Sequence, residues 1–185
     1  MSAPFTRRIE IRRELCPGDL GTIVREHGRQ YSREHGVDRR FEAMVAAAVA
    51  RAAESGWPGE REAVWIVEQD GEFAGCLALT EESPDLAAIR CVLLDPSLRG
   101  RGLGRRLIGE AVETAEELGY ETLGLETFSE LRAAAHLYRE HGFEVVWEDR
   151  GPRWGREEIV YQRYELSLPR ARSSSRELGA LASQA

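Results

Sequence analysis

Lysine and asparagine are missing from this chain, and all of its 25 basic residues are arginine. Without lysine the protein has no Schiff-base lysine, no anchor for pyridoxal phosphate and no GK[ST] phosphate loop. Without asparagine it has no site for N-glycosylation. These absences exclude several classes of enzyme before any motif is considered.

Long hydrophobic runs are also missing. The apolar run around residues 46–50 is far shorter than the roughly 20 residues that span a bilayer. No apolar segment follows Arg7 and Arg8, so the N-terminus does not have the pattern of a secretory signal. We therefore expect a cytoplasmic protein with no membrane partner.

Positive charge is in the minority, since 25 basic residues face 32 acidic ones and the net charge is −7. A protein that binds a polyanion needs a positive field, so we expect no nucleic-acid partner.

Cysteine is scarce, and Cys16, Cys76 and Cys91 lie apart among apolar neighbours, not in CxxC pairs. This spacing predicts buried free thiols and no metal site.

The apolar periodicity predicts strands and helices in mixed order, which is typical of an α/β (α+β) fold with a sheet covered by helices. Strands are predicted at residues 6–15, 63–68, 72–80, 86–94, 120–127, 143–147 and 159–168. Helices are predicted at residues 19–35, from Asp38 to about Gly56, and at 103–118 and 131–140.

The connections carry their own signals. Asp70-Gly71 predicts a tight hairpin, and Pro152, Trp154 and Gly155 indicate a polar loop between the last two strands. Residues 1–168 are expected to form a single domain, and residues 169–185, which lack apolar periodicity, are expected to form a disordered tail.

A glycine-rich turn follows the buried strand at residues 86–94 and precedes the helix at 103–118. It contains Gly100, Gly102 and Gly104. The free N–H groups at the start of such a helix, together with its dipole, attract anions, phosphate above all. The spacing does not match the Gly-x-Gly-x-x-Gly of dinucleotide-binding folds. A tight turn without a ligand is the alternative.

Two motifs give the chain a specific resemblance. Arg99-Gly100-Arg101-Gly102-Leu103-Gly104 is similar to the [Gln/Arg]-x-x-Gly-x-[Gly/Ala] pattern of the GNAT superfamily of N-acetyltransferases, and residues 134–143 resemble its A-x-x-L-Y-x-x-x-G-F helix and turn. With the element order, the resemblance covers about residues 7–168. It implies a mostly antiparallel sheet of about seven strands with a V-shaped splay, flanked by about four helices.

The resemblance also implies an activity, namely transfer of the acetyl group of acetyl-CoA to a primary amine by direct attack in a ternary complex. A backbone N–H at Leu93 or Leu94, beside a β-bulge, would stabilise the oxyanion, and Tyr138 would be the general acid. No metal is implied. The implied coenzyme contacts are Val92, Leu93, Leu94, Arg99, Gly100, Arg101, Gly102, Leu103, Gly104, Arg105, Ala134 and Tyr138. Further arginines, namely Arg106, Arg132 and Arg139, could also meet its phosphates.

The general base is open, and Arg90 and Glu42 are the expected substrate contacts. The candidate bases are Glu34, His35, Glu42 and Glu126, of which Glu34 and Glu126 are preferred. Arg90 interrupts an apolar strand, so it either pairs with Glu34 or Glu42 or binds an acidic group of the substrate. Leu131 stands where the family often has an asparagine that helps to hold the pantetheine arm.

A closer resemblance is to the acetyltransferase module that in some bacterial proteins follows a MarR-type DNA-binding domain. It rests on His27-Gly28, Tyr31, residues 34–36, Phe41-Glu42 and residues 154–166. Because the chain begins almost at its first strand, we expect a stand-alone enzyme, as a monomer or a homodimer. A catalytically silent acetyl-CoA sensor or interaction module, and an enzyme for protein amines, remain the alternatives to a small-molecule acetyltransferase.

Overall fold

The computed structural model describes residues 8–169, so the predicted tail lies outside the described residues except for Pro169. The helices are α1 (Asp19–His35), α2 (Arg39–Glu54), α3 (Leu103–Glu117) and α4 (Arg132–Glu140), with a 3₁₀ turn at Pro96–Leu98. The strands are β1 (Ile9–Arg12), β2 (Ala63–Gln69), β3 (Glu72–Ser83), β4 (Leu86–Leu94), β5 (Thr122–Phe128), β6 (Glu144–Arg153) and β7 (Arg156–Ser167).

The seven strands form one sheet in the order β1-β2-β3-β4-β5-β7-β6. All neighbouring strands are antiparallel except β4 and β5, which run parallel and are connected through α3. The predicted fold class, a mixed and mostly antiparallel sheet of seven strands with four α-helices, is confirmed. No helix within residues 8–169 is long and apolar enough to cross a membrane.

Local signals set the element boundaries. The side chain of Asp38 accepts a hydrogen bond from the backbone N–H of Arg40 at 2.9 Å and so caps α2, as predicted. Gly36 ends α1 in the left-handed conformation, with φ at 67°. Asp70 and Gly71 join β2 to β3 with φ values of 55° and 84°, which is the conformation that a two-residue hairpin needs.

The prediction of a polar loop between the last two strands is wrong. β6 continues to Arg153 and β7 starts at Arg156, so Trp154 and Gly155 alone form the turn. Both residues have positive φ, 48° and 86°, and a turn of this hand fits the twist of the flanking strands. Pro152 does not break β6 because β6 is the edge strand of the sheet.

Two hydrophobic cores lie on the two faces of the sheet. Successive side chains of β2 point alternately into the two cores. Trp65 and Val67 pack in the core under α3 and α4, whereas Val64 and Ile66 pack in the core under α1 and α2. The second core lies beneath the two helices that precede β2. These helices, α1 and α2, cover the site described below.

The cysteines differ in exposure. Cys76 is buried, as predicted, but the prediction is wrong for Cys16, which is exposed because it lies in the turn between β1 and α1 and not in a strand. Cys91 is half-buried. Burial raises the pKa of the Cys91 thiol to about 11 and holds the pKa of Cys76 well above its ordinary value.

We predict that a thiol-specific reagent modifies only Cys16 rapidly at pH 8. A thiol reacts as thiolate, and a pKa of about 11 leaves on the order of one Cys91 thiol in a thousand ionised. Ellman's reagent should therefore show one fast equivalent per chain, and Cys16→Ser should abolish it. Two or three equally fast thiols would contradict the raised pKa values of Cys76 and Cys91.

Candidate functional site

The sheet opens between β4 and β5. Their ladder pairs Leu86–Ile89 with residues 122–125 and goes no further, although β4 continues to Leu94 and β5 to Phe128. The carboxyl halves of the two strands therefore diverge. This is the V-shaped splay that the resemblance predicts.

A β-bulge lies on β4 where the splay begins. Ala78 of β3 is opposite Arg90, whereas Cys76 is opposite Leu93, so β4 carries one extra residue. Cys91, within the bulge, has φ at 51°, a conformation that costs about 1–3 kcal/mol for a residue with a side chain. The thiol of Cys76 donates to the Cys91 carbonyl at 3.0 Å and helps to hold it there.

Two carbonyls of β4 face the open side of the splay. Tyr31 donates its hydroxyl to the Val92 carbonyl at 3.4 Å, and Gln30 donates its amide to the Leu94 carbonyl at 3.2 Å. The N–H of Asp95 points to β3, where it bonds the Ala74 carbonyl at 2.8 Å. Because the N–H and C=O of one residue share an edge that alternates along a strand, the N–H groups of Val92 and Leu94 face the opening.

The glycine turn leads into α3 with the geometry of an anion site. Gly100 and Gly102 have φ values of 73° and 79°, and Gly102 is the N-cap of α3, with no side-chain cap. The first N–H groups of α3, from Leu103 onward, thus point out of the helix end without a side-chain acceptor. The turn can bind phosphate through main-chain groups alone.

Gly104 links this turn to the splay. A Cβ on Gly104 would lie 3.2 Å from Leu137 of α4 and 3.5 Å from Leu94 of β4. The first turn of α3 therefore packs between the end of β4 and the residue that precedes Tyr138. The glycine turn, the open edge of β4 and the helix that carries Tyr138 are therefore neighbours in the fold.

Tyr138 lies on α4 between the core and a cavity. Its ring packs against Tyr164 and Phe143, with centroids 5.8 and 6.1 Å away, and it is 4% exposed. Burial raises its pKa above the ordinary tyrosine value, and Tyr164 adds to this shift. The phenol is therefore protonated at neutral pH, as a proton donor must be.

A cavity of about 530 Å³ extends from the splay to the space beneath α1 and α2. Its lining includes Tyr31, Cys91, Val92 and Tyr138. Apolar and aromatic side chains make up most of the rest of its lining, among them Phe41, Met44, Val45, Trp57, Phe128, Trp154 and Tyr161. This volume and this lining are typical of sites for small molecules.

Charged side chains line one end of the cavity. Arg90 pairs there with Glu82 and lies 3.6 Å from Glu126, so the predicted pairing with Glu34 or Glu42 is wrong. Tyr161 donates its hydroxyl to Glu126 at 3.0 Å, and Arg163 binds Glu82 at 2.9 Å. Arg90 and Glu126 thus border the cavity, each within an ion-pair network.

The other predicted bases do not line the cavity. Glu34 binds Arg99 at 2.9 Å, and His35 packs its ring against Phe128. Glu42 is one position beyond the buried Phe41, so it points away from the core and meets Gly28 of α1. The predicted substrate contact through Glu42 therefore has no support in this arrangement.

The arginines near the phosphate turn differ in their partners. Arg99 donates to the Leu94 carbonyl at 3.3 Å as well as pairing with Glu34. Arg105 binds Glu140 of α4 at 2.8 Å. Leu131, which stands where the family often has an asparagine, is the N-cap of α4. Within residues 8–169 Arg101 has no ion pair, which leaves its guanidinium free for an anion.

Two buried polar atoms of cavity residues have no hydrogen-bond partner among the described residues. The sequence did not indicate either of them as part of a site. They are Nε2 of His27 and Nε1 of Trp57. His27 belongs to the apolar stripe of α1, and Trp57 lies in the loop after α2. Only the folded structure shows that they border a cavity.

Comparison with known proteins agrees with this geometry. A sequence model of the Acetyltransferase (GNAT) family matches residues 29–143, more than half of the chain. Over 87 residues the chain is 36% identical to the uncharacterized N-acetyltransferase YjgM of Escherichia coli, a match that covers 45% of this chain. It spans about half, 52%, of that relative's length.

Solved structures show the same fold. The ribosomal-protein-S18-alanine N-acetyltransferase of Escherichia coli superposes with a TM-score of 0.62 and 23% identity, over 90% of this chain and 98% of that one. The structure of yncA from Salmonella typhimurium with its cofactor acetyl-CoA gives a TM-score of 0.66 at 18% identity, over 89% and 96%.

Proposed function

The chain belongs to the Acetyltransferase (GNAT) family, and on that premise we propose that it transfers the acetyl group of acetyl-CoA to a small primary amine. The observation that carries the proposal is the opening between β4 and β5, because it brings the phosphate turn, an unpaired strand edge and Tyr138 to one site. A continuous sheet would offer none of these groups to a ligand.

The chain's own groups fit acetyl-CoA along its length. The uncapped start of α3 after Gly102, together with Arg101, would bind the pyrophosphate. The open edge of β4 between Val92 and Leu94 would lie beside the pantetheine arm. Bound there, the coenzyme supplies an activated acetyl group as a thioester.

Two groups of the protein would assist the reaction. Of the two residues predicted to stabilise the oxyanion, Leu94 is the better placed, because its N–H faces the opening whereas that of Leu93 faces β3. One such donor is worth about 2.7–4 kcal/mol. Tyr138 would give its proton to the departing sulfur.

The cavity favours a small acceptor. A space of about 530 Å³ roofed by α1 and α2 suits a small molecule better than an extended peptide. Glu126 is the predicted carboxylate that borders it, and we place Glu126 and Arg90 in contact with the polar part of the substrate. The net charge of −7 attracts cationic amines.

A thiol-release assay over polyamines, amino acids, aminoglycosides and peptides tests this proposal. We expect the highest kcat/KM with a small primary amine and little turnover of peptides. Turnover of peptides alone would overturn the small-molecule assignment in favour of a protein acetyltransferase. Coenzyme binding without turnover of any amine would overturn the enzymatic assignment in favour of a sensor.

Three further expectations rest on the sequence. We propose that the chain works as a monomer or homodimer, and that it works in the cytoplasm. Its kinship with the module fused to MarR-type regulators is also a proposal, supported by His27-Gly28, Tyr31 and Phe41-Glu42.

A further inference from the structure

His27 has a defined tautomer because of its position on α1. Its Nδ1 lies 2.8 Å from the carbonyl oxygen of Ile23, one helical turn earlier. A carbonyl oxygen only accepts hydrogen bonds, so Nδ1 must carry the proton. The other ring nitrogen, Nε2, is then left with a free lone pair.

That lone pair is buried and has no donor within residues 8–169. The side chain is 3% exposed, and burial lowers its pKa, with the bond to Ile23 as the only opposing cause. The ring is therefore neutral at pH 7. A buried acceptor without a donor destabilises a protein, and a ligand that donates an N–H to it removes that cost.

The ring borders the cavity close to the opening in the sheet. It stacks on Tyr31 with centroids 5.8 Å apart, and Tyr31 in turn bonds the Val92 carbonyl at the edge of the splay. All three residues line the cavity, as does Tyr138. Because Nε2 has no partner among the described residues and the ring belongs to the cavity wall, we infer that a donor group seated in the cavity is its partner.

We propose that His27 is the proton acceptor of the reaction, and that its Nε2 takes the proton released by the attacking nitrogen. This inference rests on the proposed acetyl transfer. The nitrogen lone pair forms the C–N bond, and the C–S bond breaks with its electron pair on sulfur. Nε2 accepts the proton from nitrogen, Tyr138 gives its own to sulfur, and the imidazolium then returns one proton to the tyrosinate through solvent.

Other titratable groups of the cavity are less suited to this task. The charged ones are Arg51 on α2, Glu62 in the loop before β2, Glu81 and Glu82 on β3, Arg90 on β4 and Glu126 on β5. Of the carboxylates, Glu81, Glu82 and Glu126 bind arginines, and Glu62 accepts backbone N–H bonds. The neutral ones, Tyr31, Cys91, Tyr138 and Tyr161, all have pKa values raised by burial and are poor acceptors at pH 7.

The test compares His27→Gln with His141→Gln. His141 is the matched control because its Nδ1 also lies 2.8 Å from the carbonyl oxygen one helical turn earlier, that of Leu137, but it does not line the cavity. With the best amine of the panel, we expect His27→Gln to lower kcat about tenfold or more, with little change in KM. His141→Gln should stay close to the wild type.

The pH dependence of kcat separates a proton acceptor from a structural residue. The acceptor works only when neutral, so the wild-type kcat should fall below a pH that lies under about 6.5, the ordinary histidine value. That fall should disappear in His27→Gln, and imidazole should restore part of the rate of His27→Ala. Wild-type turnover in the same assay keeps failure here distinct from failure of the proposed function.

A measurement on the wild type covers the case in which the variants do not fold. In ¹⁵N NMR of histidine-labelled protein, His27 should be neutral at pH 7 with its proton on Nδ1. An imidazolium at pH 7, a proton on Nε2, or a His27→Gln variant with unchanged kcat and pH profile would each overturn the proposal.

Discussion

Tyr138→Phe will lower kcat by about 10²–10³-fold while KM for acetyl-CoA changes little. The substitution removes the one phenolic proton that we place beside the departing sulfur and keeps the ring. The ring packs against Tyr164 and Phe143, and no group of the described residues hydrogen-bonds to its hydroxyl. Stability should therefore be almost unaffected. Steady-state thiol release, with a melting curve for each protein, measures both effects.

Tyr164→Phe is the matched control. Tyr164 is equally buried, and its hydroxyl accepts from Arg139 at 3.1 Å and donates to Gln162 at 3.2 Å, but it does not line the cavity. We expect its loss to lower Tm and leave kcat within about threefold of the wild type. Equal kcat values for Tyr138→Phe and the wild type would refute the proton-donor role.

Gly102→Asp will weaken acetyl-CoA binding by about 100-fold. Gly102 is the N-cap of α3, with φ at 79° and open space where a Cβ would point. Aspartate tolerates this conformation better than most residues, but its carboxylate would stand where we place the pyrophosphate. Like charges in contact cost several kcal/mol, and about 1.4 kcal/mol corresponds to tenfold in Kd.

Gly119→Asp controls for backbone strain. Gly119 follows the other end of the same helix, also with φ at 79° and with no atom within 4 Å of a built Cβ. Gly119→Asp should lose more stability than Gly102→Asp, because its carboxylate meets the negative end of the helix dipole. Only Gly102→Asp should nevertheless lose coenzyme affinity in a calorimetric titration. Equal affinities in the two variants would place the phosphate site elsewhere.

Most of the fold follows from local patterns in the sequence. β4 and α1 have the predicted bounds because Asp95-Pro96 ends one and Gly36 ends the other. The turn at Trp154-Gly155 could not be predicted, since tryptophan with positive φ is rare and is held here by tertiary contacts with Phe41 and Phe128.

The main-chain part of the candidate site was predictable for a related reason. We propose that the glycine turn and the Tyr138 helix act through backbone groups and one phenol, and requirements of this kind are visible as short motifs. The structure adds which strand residue faces the opening, and this depends on the bulge at Cys91, where nothing in the residue types indicates an extra residue.

Side-chain pairings that join distant elements could not be predicted. Arg90 meets Glu82 across the β3–β4 hairpin and Glu126 on the diverging strand, whereas Glu34 and Glu42 lie on other faces of their helices. For the same reason His27 has the pattern of an ordinary buried-face residue until α1 is placed over the cavity.

Calorimetric titration of the wild-type protein with acetyl-CoA tests the central claim most directly. The account predicts saturable binding to one site per chain with a Kd in the micromolar range, because the phosphate turn, the open edge of β4 and the cleft beside Tyr138 are already assembled. A protein that folds normally and releases no binding heat up to millimolar acetyl-CoA, with no rise in Tm, would contradict it.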